Sequence, residues 1–118
     1  MTEFSNERPI YVQMADRLCD EILAGTYKAD DRVPSVREYS VLLGVNMNTS
    51  FKAFEQLARE GVIYNRRGLG YFVAPDAVAI ITERKKREFM ARLPQMFRQM
   101  RLLGISIDDI KRLWDITS

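Results

Sequence analysis

Between Val33 and Val73 the chain carries helix starts and stops so closely spaced that few folds accommodate them. Ser35 followed three residues later by Glu38 has the form of a capping box, in which a hydroxyl and a carboxylate each accept from an otherwise orphaned backbone N–H, and Pro34 restricts the chain just before it. A helix is therefore expected to start near Ser35, run through Leu42 and Leu43, and stop at Gly44, where glycine tolerates the left-handed conformation that ends a helix. Asn46 is then a suitable N-cap for another helix reaching about Glu60, with Ser50, Ala53, Phe54, Leu57 and Ala58 recurring every three or four residues. Two short helices around a glycine turn describe a helix-turn-helix. After Glu60-Gly61, the segments Val62-Ile63-Tyr64-Asn65-Arg66 and Tyr71-Phe72-Val73 read as strands joined by Arg67-Gly68-Leu69-Gly70. By itself that is an ordinary hairpin; directly after a helix-turn-helix it reads as a wing.

Further matches extend the pattern. Pro9-Ile10-Tyr11-Val12-Gln13-Met14 opens an earlier helix and Gly25 ends it. Together these residues make the first two thirds of the chain, roughly, resemble the winged helix-turn-helix domain of the GntR family of bacterial transcription regulators. The tail Leu103-Gly104-Ile105-Ser106-Ile107-Asp108-Asp109-Ile110 is similar to the YtrA branch, whose effector region is too small for a separate ligand-binding domain. The resemblance implies an α+β, mainly α fold: a winged helix-turn-helix DNA-binding domain over 1–75 and a small C-terminal α-helical dimerisation region over 76–118, with Pro75-Asp76 at the boundary. It also implies a homodimeric repressor on a double-stranded DNA operator, with an ABC transporter operon among the target genes. No cofactor is implied, and a small-molecule effector stays an open question.

The second helix of such a motif enters the major groove with its N-terminal residues at the base edges. If Ser50, Phe54 and Leu57 face the core, Met47, Asn48, Thr49, Phe51 and Lys52 are left for DNA. Asn48 can pair bidentately with adenine, Thr49 can reach base or phosphate, and Lys52 suits phosphate. Phe51 fits the core equally well, and both placements stay open. Arg37 occupies a Pro-Ser-x-Arg position where the resemblance implies DNA contact; a surface ion pair is the alternative. At the hairpin tip, Arg66, Arg67 and Gly68 suit a narrow minor groove or phosphate. The sequence departs from the family's commoner residues at Tyr39-Ser40 (Leu-Ala), at Met47 (arginine) and at Phe51 (polar). Apolar Met47 and Phe51 suit thymine methyls and hence an A·T-rich operator. They also suit a protein partner, so a winged-helix protein-interaction module without specific DNA binding is the alternative function.

Charge agrees with the first function by its distribution, not its total of +2. Residues 1–31 hold three basic and seven acidic side chains, whereas 32–73 hold six basic and three acidic. The positive charge falls on the helix-turn-helix and wing, where phosphate would lie. With no histidine and one cysteine, Cys19, a disulfide within the chain, the usual zinc sites and Cys/His or Ser/His nucleophiles are excluded, and no metal site is expected. Cys19 is expected to be a small core residue of the first helix, Pro9 to Ala24, whose stripe is Ile10, Met14, Leu18, Ile22 and Leu23. The acidic pairs Asp30-Asp31 and Asp108-Asp109 suit a loop and a helix start better than acid/base catalysis. No enzyme is expected. Met1 to Arg8 lacks the apolar region of a signal peptide and no segment is apolar enough to span a membrane, so a cytoplasmic protein is expected.

Beyond Asp76 the pattern is helical to Leu103, with Val78, Ile81, Phe89, Leu93, Met96, Phe97, Met100 and Leu103 on or near one stripe, and Pro94 is expected to kink or split the helix. Gly104 stops it, and Ser106 with Asp109 starts a last helix carrying Ile107, Ile110, Leu113 and Trp114. So small an extension cannot enclose its own core. Its stripe, with Ile110 and Trp114, is expected to pair with a second copy, folding back onto the same chain being the alternative. The charged run Glu83 to Glu88 reads as a solvated helix face.

Overall fold

A computed structural model describes residues 4–117. The elements it places are α1 (Ile10–Leu23), α2 (Val36–Leu43), α3 (Met47–Arg59), β1 (Ile63–Arg66), β2 (Gly70–Val73), α4 (Ala77–Leu103) and α5 (Ile107–Thr117). Two compact units divide between Glu83 and Arg84.

In the first unit, local signals set the helix ends. The Ser35 Oγ accepts from the Glu38 N–H and Glu38 Oε1 accepts from the Ser35 N–H, each at 3.0 Å, which completes the capping box of α2. Gly44 ends α2 at φ +68°, and Asn46 caps α3 by accepting from the Thr49 N–H at 2.8 Å. Helix α3 packs against α1, α2 and β1. Phe54, fully buried, joins three elements: its ring meets Tyr39 of α2 at 5.8 Å and Tyr71 of β2 at 5.3 Å, both edge-to-face.

Strands β1 and β2 pair antiparallel from Ile63 with Val73 to Arg66 with Gly70. Arg32 joins this sheet through an antiparallel bridge to Phe72, and the next N–H on that side, that of Ser35, is donated to Glu38 Oε1 in the capping box. The stripe of α1 is displaced from the expected one. Met14, Ala15, Leu18, Cys19 and Ile22 are buried, whereas Ile10 and Leu23 are exposed at the helix ends, one in the first turn and one just off the buried face.

The start of α4 belongs to the first core: Ala77 and Ile81 are both buried in it. Ile81, expected on a dimer stripe, is therefore a core residue and unavailable to a second copy. Helix α4 also continues through Pro94 as one 27-residue helix. Proline removes one amide donor from the ladder, and at an exposed position water can serve the freed carbonyl.

In the second unit, Gly104 separates α4 from α5, and Ser106 and Asp109 form a capping box at 2.9 and 3.1 Å. Met100 is buried, while Leu93 and Phe97 are half-buried. Helix α5 has no buried residue. Among the described residues no helix is long and apolar enough to cross a membrane.

Candidate nucleic-acid interface

Helix α3 is strongly two-faced. Ser50, Ala53, Phe54 and Leu57 are buried, which turns Met47, Asn48, Phe51 and Lys52 outward. Met47 is 47% and Phe51 50% exposed, so of the two placements open for Phe51 the surface one is taken. Thr49 is half-buried, and its N–H is spent on the Asn46 cap. The residues expected to read DNA thus cluster on the outer side of the first turns of α3.

Lys52 is not a loose surface cation. Its ammonium lies 4.3 Å from the centroid of the Tyr11 ring on α1, a cation–π contact that holds the charge near the helix surface. Tyr11 stood within the first-helix motif, but nothing in a linear sequence pairs it with a lysine on another helix.

Arg37 is exposed in the first turn of α2. Its neighbour Glu38 is engaged by the capping box, whose Ser35 backbone and side-chain hydrogen bonds, helped by Arg32, hold its carboxyl below the ordinary glutamate range. On the hairpin, the Leu69 N–H donates to the Arg66 carbonyl at 2.8 Å and closes the turn. Arg66 lies over the Phe72 ring at 5.2 Å, and Arg67 and Gly68 are exposed at the apex. Tyr64 of β1 donates to Asp30 Oδ1 at 2.8 Å, which raises the phenol's pKa and ties the hairpin base to the loop after α1.

The acidic pairs have structural duties. Asp30 accepts from Tyr64, Asp31 accepts from the Lys28 N–H, and Asp109 caps α5. Of the residues expected at a dimer contact, Val78, Phe89, Met96, Leu103, Ile110 and Trp114 are exposed; Leu93 and Phe97 are half-buried, and Met100 is buried.

Comparison with known proteins agrees with this geometry. The signature of the bacterial regulatory proteins of the gntR family matches residues 10–73. The HTH-type transcriptional regulator YhcF of Bacillus subtilis (strain 168) is 32% identical over 108 residues, covering 92% of this chain and 88% of that protein. The HTH-type transcriptional repressor YtrA of the same organism is 31% identical over 102 residues, covering 86% and 78%. Among solved structures, a GntR-family transcriptional regulator from Bacteroides thetaiotaomicron superposes with a TM-score of 0.82 at 44% identity, over 92% of this chain and 95% of that one. The DNA-binding domain of AraR, crystallised with operator ORX1, superposes with a TM-score of 0.56 at 29% identity, over 63% and 90%.

Proposed function

Because the chain belongs to the GntR family of bacterial regulatory proteins, and is thus a DNA-binding transcription regulator rather than an enzyme, we propose that it is a homodimeric repressor of a small operon in the cytoplasm. The single observation that carries this is α3: a capped, two-faced helix fixed from beneath by Phe54, with Asn48 and Lys52 outward. Asn48 reads adenine in the major groove, Met47 and Phe51 meet thymine methyls, and Thr49, Lys52 and Arg37 hold phosphate. Arg66, Arg67 and Gly68 carry the wing to the adjacent backbone or minor groove. AraR's complex with an operator supports the same use of a related fold.

Residues 1–75 form the DNA-binding domain and residues 76–118 the dimerisation region, apart from the core residues Ala77 and Ile81. Exposed Phe89, Met96, Leu103, Ile110 and Trp114 supply the apolar area for pairing. A two-fold dimer then sets two α3 helices into half-sites about 34 Å apart. Similarity to YtrA makes an ABC transporter operon the first target to test.

Selection of bound sequences from a randomised DNA pool, followed by salt titration on the winners, tests this reading. An A·T-rich inverted repeat with half-sites one turn apart, bound with steep salt dependence, is the expected result. Binding indifferent to sequence would overturn it in favour of a protein-interaction role for the Met47 and Phe51 surface.

A further inference from the structure

One side chain ties the hairpin tip to the helix-turn-helix. Arg32 has a fixed base: it bridges Phe72 of β2, the Val33 N–H donates to the Tyr71 carbonyl at 3.0 Å, and the Val73 N–H donates to the Asp31 carbonyl at 2.9 Å. From there its guanidinium reaches two elements at once. Nε donates to the Leu69 carbonyl in the wing turn at 3.0 Å, while Nη2 stands 3.6 Å from Glu38 Oε1 at the start of α2. That same Glu38 oxygen accepts the Ser35 N–H, so the far anchor is itself held in place. Gly70 keeps the path clear. At its φ of +108° a side chain would be strained, and a Cβ would stand 3.3 Å from Arg32 Nε.

We infer that Arg32 is a positioning residue for operator recognition, fixing the wing tip against the N-terminus of α2 and acting through the wing rather than by touching phosphate. The inference rests on the DNA-binding reading above. A two-stranded hairpin is weakly held by its own pairing, and a recognition group must be kept within about half an ångström of its productive place. The planar guanidinium fork suits two acceptors in different directions; a lysine ammonium is a point charge on a flexible stem and cannot replace it. Both Arg32 and Glu38 are more than half exposed, so their pairing adds little to folding stability. Its contribution is geometric.

The test uses the sequence selected from the random pool and measures affinity across a salt series for wild type, Arg32→Lys, Arg32→Met, Arg67→Ala and Arg32→Met with Arg67→Ala. Arg32→Met and Arg32→Lys are each expected to weaken binding about tenfold, and the double variant to fall within about twofold of Arg67→Ala alone, since a loosened wing has already lost the Arg67 contact. Arg32→Lys is expected to fold as wild type does by circular dichroism and still bind weakly. Losses that multiply in the double variant, or full affinity in Arg32→Lys, would mean that the charge of Arg32 meets phosphate directly, and would overturn the inference. If wild type selects no sequence, the DNA-binding reading fails and this one with it; if wild type selects a sequence and Arg32→Met binds it equally well, this inference alone fails.

Discussion

At Tyr39 and Ser40 the chain departs from the residues commoner in its family, and each substitution has found a partner. The buried Tyr39 ring packs on Phe54 while its hydroxyl donates to Glu21 Oε1 at 2.9 Å; burial, then the hydrogen bond to Glu21, push its phenol pKa far above the ordinary value, so it stays a donor. Ser40 Oγ donates to the Val36 carbonyl at 2.7 Å and lies 2.6 Å from the Ser50 Oγ, a buried hydroxyl pair joining α2 to α3. Phe54→Ala is expected to cost about 3–5 kcal/mol in denaturant unfolding, because the ring fills the junction of three elements. At Glu38 the lowered pKa gives a pH signature. Its stabilising effect is present above the ordinary glutamate pKa and is lost as pH falls through the lower folded value. Melting temperatures of wild type and Glu38→Gln should therefore differ at neutral pH and converge as acidification passes below the ordinary glutamate range.

Among the elements, the turn between α2 and α3 sets where α3 begins. Asn46→Ala removes the side-chain acceptor of the Thr49 N–H and is expected to cost about 1 kcal/mol of stability. Because Asn48 and Thr49 sit in the first turn of α3 that this cap holds, operator affinity measured by fluorescence anisotropy should, under the proposed function, fall as well. The helix ends here were legible in the sequence, since caps and glycine stops act within four residues. The face of α1 was legible only in part: periodicity found Met14, Leu18 and Ile22 and Cys19 was read as a small core residue, but Ala15 completes the face while Ile10 and Leu23 stay outside it. Pro94 in α4 marks the same limit, because a lost donor is a local penalty that a long helix can absorb at an exposed turn.

For the whole molecule, the second unit leaves an apolar surface that no element of that unit covers: Trp114 is 72% exposed, with Ile107, Leu113 and Ile116 also exposed on α5. Under the proposed dimer, sedimentation velocity should give a dimer at micromolar concentration. Ile110→Ala with Trp114→Ala should shift it to monomer and lower affinity for a full inverted repeat by about a hundredfold or more, because two linked half-sites no longer engage together. A monomer that keeps full operator affinity would refute the pairing.

The sequence by itself determined the starts and stops of the helix-turn-helix, the order helix-turn-helix then hairpin, and the family, because capping boxes, glycine stops and apolar periodicity are short-range and written in consecutive residues. Only the tertiary structure decided that Phe51 is outside and Ile81 inside, that Lys52 rests on Tyr11, and that Arg32 spans the wing turn and Glu38. Those outcomes depend on contacts between residues far apart in the chain. Which side chains meet there is set by how the amphipathic faces close on one core, and no local pattern encodes it.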